Sequence, residues 1–598
     1  MTRSIRWQAA LAVLGIVLAI SALAHLAHVR QAGGQVPCPS VSPRPSATCI
    51  PSPSPTCTVT PLPSPTATVT PLPTPEPTSA PSGPCCHVEA VVGEPRLINP
   101  ILARHEVDRD LVALIFNGLT KVNERLQIVP DLAQRWWVSS DGRVYTFDLR
   151  RDVVWHDGAP FNADDVLFTI RAIQERYFQG SAHLANLWRT VQVEKLDRYT
   201  VRFSLKEPFA PFLDYTTIGI LPAHLLADVP AVLLPQQAFN LRPVGTGLFQ
   251  VSEVHLDQGY LVLKANPSHF GPAPRMEQVE FQFYPDLASI LAAYDEGAVT
   301  GFGGLLPQEL EAVRQRPSLA LYSGPLSGET FIFFNLVNPL ASFLAEREVR
   351  QALLLALDRQ RLIDKELGGQ GIVAQSVVLP NTWAYHSDLP HYAYNPKLAR
   401  SLLEEAGWCG LSDAEVSPLA DKDRVRRREG VELAFSLMVD GANTTHVRLG
   451  EEIARQWAEI GVRVHVEPGL SQERLQLGRY MAALVEWREL PPDPDPYPIW
   501  HSTQVSGRGQ NYTGFNNREA DELMEEGRRI TDTEQRTQLY HRFQEIWVQE
   551  LPALPLYHPI YNYALDRRIA GVHLGLMMSS SDRFRNICQW YLTPQRER

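Results

Sequence analysis

The chain has no G-x-S-x-G elbow, no H-E-x-x-H helix, no Walker A loop and no G-x-G-x-x-G after a strand. These absences remove the common hydrolase, zinc-protease, nucleotide-binding and dinucleotide-binding signatures. It also has no C-x-x-C pair, so neither a thioredoxin-like redox centre nor a paired-cysteine zinc site is written in it. Positive charge is short as well: 55 Lys and Arg stand against 66 Asp and Glu, a net charge of −11. Arg3, Arg6, Arg30 and Arg44 against Glu76 alone make the first 84 residues positive, so the remainder is more acidic than the total. An acidic body of this kind is not expected to take nucleic acid or an anionic membrane surface as its main partner.

Cysteine is unevenly placed. Cys38, Cys49, Cys57, Cys85 and Cys86 precede the main body, and only Cys409 and Cys588 lie within it, an odd total from which no pairing is deducible. No cysteine follows the first apolar run at the spacing of a lipid-attachment site, and Cys85-Cys86-His87 lacks the spacing of a tetrahedral metal site, so no metal and no cofactor is expected. What is present at the start is a leader: Arg3 and Arg6 precede an apolar run from Trp7 to Leu26, with Ala22-Leu23-Ala24 resembling a cleavage site. Residues 1–30 read as a signal peptide or a signal anchor, about 20 apolar residues being enough to span a bilayer.

Residues 31–86 form a Pro/Ser/Thr-rich linker with sixteen prolines and a ten-residue repeat, TVTPLPSPTA followed by TVTPLPTPEP. Such a composition buries no core and favours extended polyproline II, a stalk of at most about 170 Å at roughly 3.1 Å per residue. The body that follows is too long for one small domain.

The densest local signal is the stretch from Pro130 to Ile170. Tyr145, Phe147 and Leu149 alternate with Thr146 and Asp148 as in a half-buried strand, after a Ser140-Asp141-Gly142 turn. Asp157-Gly158 marks a second turn, and Asn162 stands as N-cap ahead of Asp164 and Asp165, with Val166, Leu167, Ile170 and Ile173 at helical spacing. The adjacent His156 and Asp157 read as turn residues, not as an acid–base pair. Further on, Glu346 and Arg350 form an i,i+4 pair on an amphipathic helix. Asn395, Pro396 and Gly407 bracket another helix, and Leu449 to Ile460 a third, which gives way at Gly461 to the period-two run Val462, Val464, Val466. Helix and strand alternate as in α/β lobes. The charged run from Asp421 to Glu429 reads as a solvated hairpin or loop.

The Pro130–Ile170 stretch resembles the most recognisable segment of the family 5 extracellular solute-binding proteins, which feed peptide, oligopeptide and nickel ABC importers. Pro243-Val-Gly-Thr-Gly-Leu-Phe249, Arg347 to Leu353 with Asp358-Arg359, and Tyr394 to Trp408 resemble further elements of that family, in order, over about residues 88–575. The resemblance implies an α/β, two-lobed periplasmic-binding-protein clamshell of type II within 87–598. Lobe I would comprise about 87–121, 240–330 and 551–598, the extra lobe of the oligopeptide-binding class 122–239, and lobe II 331–550.

It further implies a binding protein rather than an enzyme: a monomer outside the cytoplasm that closes on a small-molecule or peptide ligand and delivers it to ABC permease subunits. A receptor on the same fold, or a sugar or metal-chelate ligand, stays open. In peptide-binding members a loop W-x-x-D-x-x-D-P places its first aspartate on the ligand's α-ammonium group, since a cation removed from water needs a carboxylate partner. Here Trp487 and Asp493-Pro494 match, but Leu490 stands where that aspartate would be. Either Glu489 replaces it, or the ligand has no free amino terminus, or the loop keeps a structural role only. By position in the family, Asn99, Asn335, Trp383, Tyr497, Asn511 and Tyr512 join Trp487, Glu489 and Asp493 as candidate ligand-binding residues.

Overall fold

The computed structural model describes residues 86–593 except 411–424, 489, 506 and 508. The expected leader (1–30) and the linker up to residue 85 lie outside the described residues, and among the described residues no helix is long and apolar enough to cross a membrane.

The described chain begins with strand β1 (Cys86–Val92) and helix α1 (Glu106–Ile115). The Pro130–Ile170 stretch then forms strands β2 (Ala133–Val138) and β3 (Val144–Leu149), paired antiparallel, and helix α2 (Ala163–Gln174). Asn162 caps α2 together with Asp165 in a capping box, as the sequence leads one to expect. With β4 (Gln192–Asp197) and β5 (Thr200–Ser204) these strands complete a four-stranded sheet of order β2-β3-β5-β4.

His156 and Asp157 point apart. The His156 Nδ1 accepts the Gly245 N–H at 3.1 Å and its Nε2 donates to the Gly247 carbonyl at 3.1 Å, while Asp157 pairs with His224. Burial pushes the His156 imidazole down to about 4, so it is a neutral clamp on the Pro243–Phe249 loop. That loop must be glycine at 245, because a Cβ there would lie 1.8 Å from the Ile115 carbonyl oxygen.

The remaining elements, in chain order, build one large mixed sheet and its covering helices. They are β6 (Phe249–His255), β7 (Tyr260–Ala265), β8 (Gln278–Tyr284), β9 (Gly301–Gly303), β10 (Leu319–Pro325), β11 (Gly328–Phe334), α3 (Arg347–Leu355), β12 (Gly371–Val373) and α4 (Pro396–Glu405). They continue with β13 (Ala434–Val439), α5 (Thr444–Ala458), β14 (Arg463–Pro468), β15 (Ala482–Arg488), α6 (Arg518–Arg529), α7 (Thr533–Glu550) and β16 (Ala553–Asp566). The strand order is β14-β13-β15-β11-β16-β9-β1-β8-β7-β6, with β10 and β12 also paired to β16.

The sheet is continuous, but the apolar packing is not. One large core gathers residues from Val91 to Leu326 and from Tyr561 to Trp590, and a second gathers Phe331 to Tyr557. The chain therefore changes core twice, between Leu326 and Phe331 and within the 14-residue β16 between Tyr557 and Tyr561. The fold is mixed α/β, and the first core includes the four-stranded sheet.

Two expectations about charge fail for one reason, which is that an arginine can be drawn inside by backbone carbonyls. Arg350 does not pair with Glu346: it is buried and donates to the Leu551, Glu550 and Leu344 carbonyls, closing the C-terminus of α7, where Leu551 adopts a left-handed conformation. Glu346 pairs instead with Arg428. In the charged run, whose residues 421–424 lie outside the described residues, Arg427 and Arg428 do form a hairpin with Val431 and Glu432, but Arg426 is fully buried, donating to the Ile460 and Trp408 carbonyls.

Candidate functional site

Strand β15 ends the second core with Trp487 and Arg488 and runs into the proline-rich loop 490–498. Leu490 is held to the crossover between the cores by two hydrogen bonds with Ser327, its N–H to the Ser327 carbonyl at 3.1 Å and the Ser327 hydroxyl to its carbonyl at 2.9 Å. Trp487 packs edge-on against Phe331, Phe333 and Trp500. Successive residues of a strand face opposite ways, so Glu486 and Arg488 share the side away from Trp487.

Two cavities flank this strand end, and Arg488 lines both. The first, of about 610 Å3, is walled by Trp487, Leu490, Tyr497 and Leu379, with Leu126 and His183 from the first core's side. Its two carboxylates, Asp493 and Asp495, are each paired with an arginine. Asp493 is held bidentately by Arg536 at 2.6 and 2.7 Å, with both side chains buried, and Asp495 accepts from Arg528 at 2.9 Å. Arg528 lies 4.2 Å from the Tyr497 ring centre, and Tyr497 stacks on His501 at 4.0 Å. Among the described residues this cavity has an apolar wall and no carboxylate left over for a ligand cation.

Asp214, in the short helical turn Phe212–Tyr215 beside the four-stranded sheet, joins the first core's side to this loop by accepting the Asp493 N–H at 2.8 Å. Burial first, and then the Asp493 and Asp495 charges, push its carboxyl up to about 8 against the pull of the Asp493 N–H and Arg536. Its proton is therefore retained in the folded protein between the ordinary carboxylate range and pH 8 and lost in the unfolded one. Stability from this group is complete below about pH 4 and falls as pH rises toward 8. Asp214→Asn keeps an acceptor for the Asp493 N–H and removes the titration. The stability difference, variant minus wild type, should climb between pH 4 and 8, by up to about 1.4 kcal/mol per pH unit, and level off above. Urea denaturation of both proteins across that range checks it, and a flat difference curve contradicts the assignment.

The second cavity has a volume of about 460 Å3. It lies between Glu106, Gly304 to Gln308, Tyr561, Asn562 and Ser580 on one side and Asp440 to His446, Glu486 and Arg488 on the other. Glu486 accepts from Arg488 at 2.8 Å and contacts the His446 Nε2 at 3.1 Å. Burial opposes its ionisation, but His446 and Arg488 outweigh burial and hold it below the usual carboxylate range.

The sequence-derived candidates do not all meet. Trp487 and Tyr497 line the apolar cavity, as does Asp493, whose carboxylate is already occupied by Arg536; Glu489 lies outside the described residues. Asn335, Asn511 and Tyr512 line a different cavity of about 570 Å3; Asn335 sits at the opposite end of β11, roughly 20 Å away for a seven-residue strand, whereas the Tyr512 ring lies 6.5 Å from that of Phe333, on which Trp487 also packs, and the Asn511 amide reaches the carbonyl of Trp500 in the first cavity's wall. The Asn335 amide donates to the Gly478 and Tyr480 carbonyls, and the Asn511 amide to those of His501 and Phe515. Asn99 is buried in the first core's side, donating to Asn240 Oδ1 at 3.0 Å. Trp383 backs Arg536, 5.0 Å from its guanidinium carbon. Residues missed at the sequence level include Arg488, Glu486, Arg536 and Asp214. The alternation Glu486-Trp487-Arg488 was a usable signal for the first two, whereas nothing local marks the others.

Comparison with known proteins bears on what such an arrangement does. Residues 127–508 match the model of the bacterial extracellular solute-binding proteins, family 5 (middle region). The chain is 29% identical over 491 residues to the oligopeptide-binding protein AppA of Bacillus subtilis (strain 168), covering 80% of this chain and 87% of that one. It is 26% identical over 512 residues to the dipeptide-binding protein of Escherichia coli (strain K12), covering 80% and 90%. Among solved structures, Bacillus subtilis AppA in complex with a nonapeptide superposes with a TM-score of 0.62 at 27% identity, over 85% of this chain and 99% of that one. NikZ of Campylobacter jejuni in complex with Ni(L-His) gives 0.65 at 25% identity, over 85% and 100%.

Proposed function

The chain belongs to the bacterial extracellular solute-binding proteins of family 5, and from that membership we propose that it is the extracytoplasmic substrate-binding component of an ABC importer with a peptide as its ligand. The two cores act as two lobes, with 331–550 as one lobe, 87–121, 240–330 and 551–598 as the other, and 122–239 as an extra lobe on the latter. The leader and the proline-rich linker tether this body at the cell envelope. Ligand enters the cleft on either side of the Trp487–Arg488 strand end, the lobes close about the two crossovers, and the closed form docks on a membrane permease. No catalytic group is needed, since the output is a shift in population between open and closed states.

The observation that carries this reading is the pair of cavities meeting at Arg488, each lined from both sides of the core boundary. Trp487 and Tyr497 supply aromatic walls there, as ligand pockets commonly require. Asn99, Asn335, Trp383, Asn511 and Tyr512 act as supports of the scaffold, and Asp493 positions the loop through Arg536. The kinship with AppA and with the Escherichia coli dipeptide-binding protein favours a peptide over the nickel complex held by NikZ.

Native mass spectrometry of the purified protein identifies what it carries, and a thermal-shift panel of peptides, sugars and metal chelates ranks the ligand classes. A peptide at about a hundred times its Kd should stabilise the protein by about 2.7 kcal/mol. If sugars or chelates move the melting transition and no peptide does, the peptide assignment fails.

A further inference from the structure

Away from the two crossovers, chain of the first core meets chain of the second again, along residues 209–214. The Ala210 N–H donates to the Arg528 carbonyl at 2.7 Å, and the Arg528 guanidinium carbon lies 5.1 Å from the Phe209 ring centre and 4.2 Å from that of Tyr497. Asp214 accepts the Asp493 N–H at 2.8 Å. The first core holds its side of this seam firmly: the Phe209 carbonyl accepts from the Tyr145 hydroxyl of β3 at 3.2 Å, and Phe212 is buried. Arg528, Asp493 and Tyr497 line the apolar cavity from the second core's side, and His183, bonded to the Tyr215 hydroxyl at 2.7 Å, lines it from the first. The seam is therefore a rim of that cavity, and any parting of the two lobes must break it.

One acid of the seam has no cation of its own. Asp493 is held by Arg536 and Asp495 by Arg528, whereas Asp214 forms no ion pair among the described residues. Ionised, it adds a third carboxylate beside two arginines already engaged, and like charges at close range disfavour ionisation. Glu489 of the same loop, outside the described residues, has the sign that adds to this repulsion. Burial also raises the Asp495 carboxyl, against the pull of Arg528. The other titratable groups are Tyr145 and Tyr215, whose hydroxyls burial pushes up to about 12, and His183, pushed down by burial and then by Arg528, so all three are uncharged at neutral pH. His501 stands behind Tyr497 and faces Asp521 and Glu525.

We infer that Asp214 is a positioning residue for ligand capture: its protonated carboxyl clasps the 122–239 region to the loop 490–498, so that closing the lobes on a ligand takes up a proton. This rests on the two-lobed, ligand-binding reading above. With the lobes apart Asp214 regains water and ionises as an ordinary carboxylate, whereas in the closed form it keeps its proton up to about pH 8. Its contribution to closure is thus complete below about pH 4, falls by up to about tenfold in the closure constant per pH unit above that, and levels off near 8. A ligand that stabilises the closed form inherits the same dependence.

Amide exchange reads the clasp directly, because prolines at 491, 492, 494 and 496 leave Asp493 and Asp495 with the only backbone N–H groups between Leu490 and Tyr497. Exchange of this stretch and of 209–214, corrected for the intrinsic effect of pH, is followed by mass spectrometry from pH 5 to 9 in the wild type, Asp214→Asn and Asp495→Asn. Wild-type protection should fall by up to about tenfold per pH unit toward 8 and then level. Asp214→Asn, a permanently neutral acceptor, should show no such fall, and Asp495→Asn should keep it but level at lower pH, one repelling charge having been removed. Protection lost only together with that of β11 and β16 would make Asp214 a group of overall stability alone and overturn the clasp.

Calorimetric titration then uses the tetrapeptide Leu-Ala-Leu-Ala, free and capped at both ends, the capped form having no charge that changes with pH. Its affinity for the wild type should fall by up to about tenfold per pH unit between pH 5 and 8, with uptake of up to about one proton per peptide near pH 7, read from buffers of different ionisation heat. Asp214→Asn should show neither effect. A wild-type affinity as flat as the variant's overturns the inference and leaves the peptide reading standing. If neither peptide binds while the exchange of the clasp still depends on pH through Asp214, the clasp stands and the peptide reading fails.

Discussion

Arg536→Met is expected to destabilise the protein by about 3–5 kcal/mol, because it leaves Asp493 as a buried carboxylate with no counter-charge. Arg536 is 5% exposed and Asp493 7%, and the guanidinium also donates to the Gly527 carbonyl and the Tyr540 hydroxyl. Replacing the arginine with an apolar side chain of similar length keeps most of the packing against Trp383 and Tyr540, so the loss reports mainly on charge. Asp493 lies in the loop that carries Leu490 and Tyr497, and its N–H is the bond that reaches Asp214, so ligand affinity should fall as well. Adding Asp493→Asn to the variant should restore part of the stability, which a double-mutant cycle in urea would measure. A loss under about 1 kcal/mol would mean that water reaches the pair and that the loop is held by its prolines and Ser327 alone.

Arg583→Met should be at least as damaging, because Arg583 serves two buried carboxylates. Its Nε donates to Glu89 at 3.0 Å and its two Nη groups to Asp110 at 2.9 and 2.5 Å, with Glu89 further bound to the Tyr563 hydroxyl and to His87. Burial works to keep Asp110 protonated and raises its carboxyl in spite of Arg583; Glu89, despite equal burial, is held below the usual range by Arg583 and His87. This one side chain ties three separated pieces of chain, β1, α1 and the C-terminal turn Ser580–Phe584. The expected loss is about 3–5 kcal/mol or more, with faster amide exchange in β1 and α1 than in α7. Equal acceleration in both regions would show that the two cores open as one unit.

The local sequence was legible wherever near neighbours decide the structure. The capping box at Asn162, the strand of Tyr145 and Phe147, and the bracketed helix from Pro396 to Glu405 are each settled by residues within a turn or two. An ordered set of such elements was enough to point to the family and hence to the mixed α/β fold. The site was only partly legible. Trp487 and Tyr497, which line one cavity, could be singled out because their loop keeps its prolines and its tryptophan in recognisable order.

What only the tertiary structure decided was which charges face which. Arg350 and Arg426 look like surface residues in one dimension, and both are inside because unsatisfied backbone carbonyls at helix ends and turns surround them. Asp493 looks like a free acid until Arg536, 43 residues later, is brought onto it. Asn335 looks like a partner of Trp487 until the length of β11 separates them. Caps, turns and periodicity depend on neighbours a few residues apart, so the sequence alone determined the elements and their family. Solvation and pairing of charge depend on what the fold brings within about 4 Å. The pairing of Asp493 with Arg536, and of Glu89 and Asp110 with Arg583, therefore came from the packing of chain segments far apart in sequence.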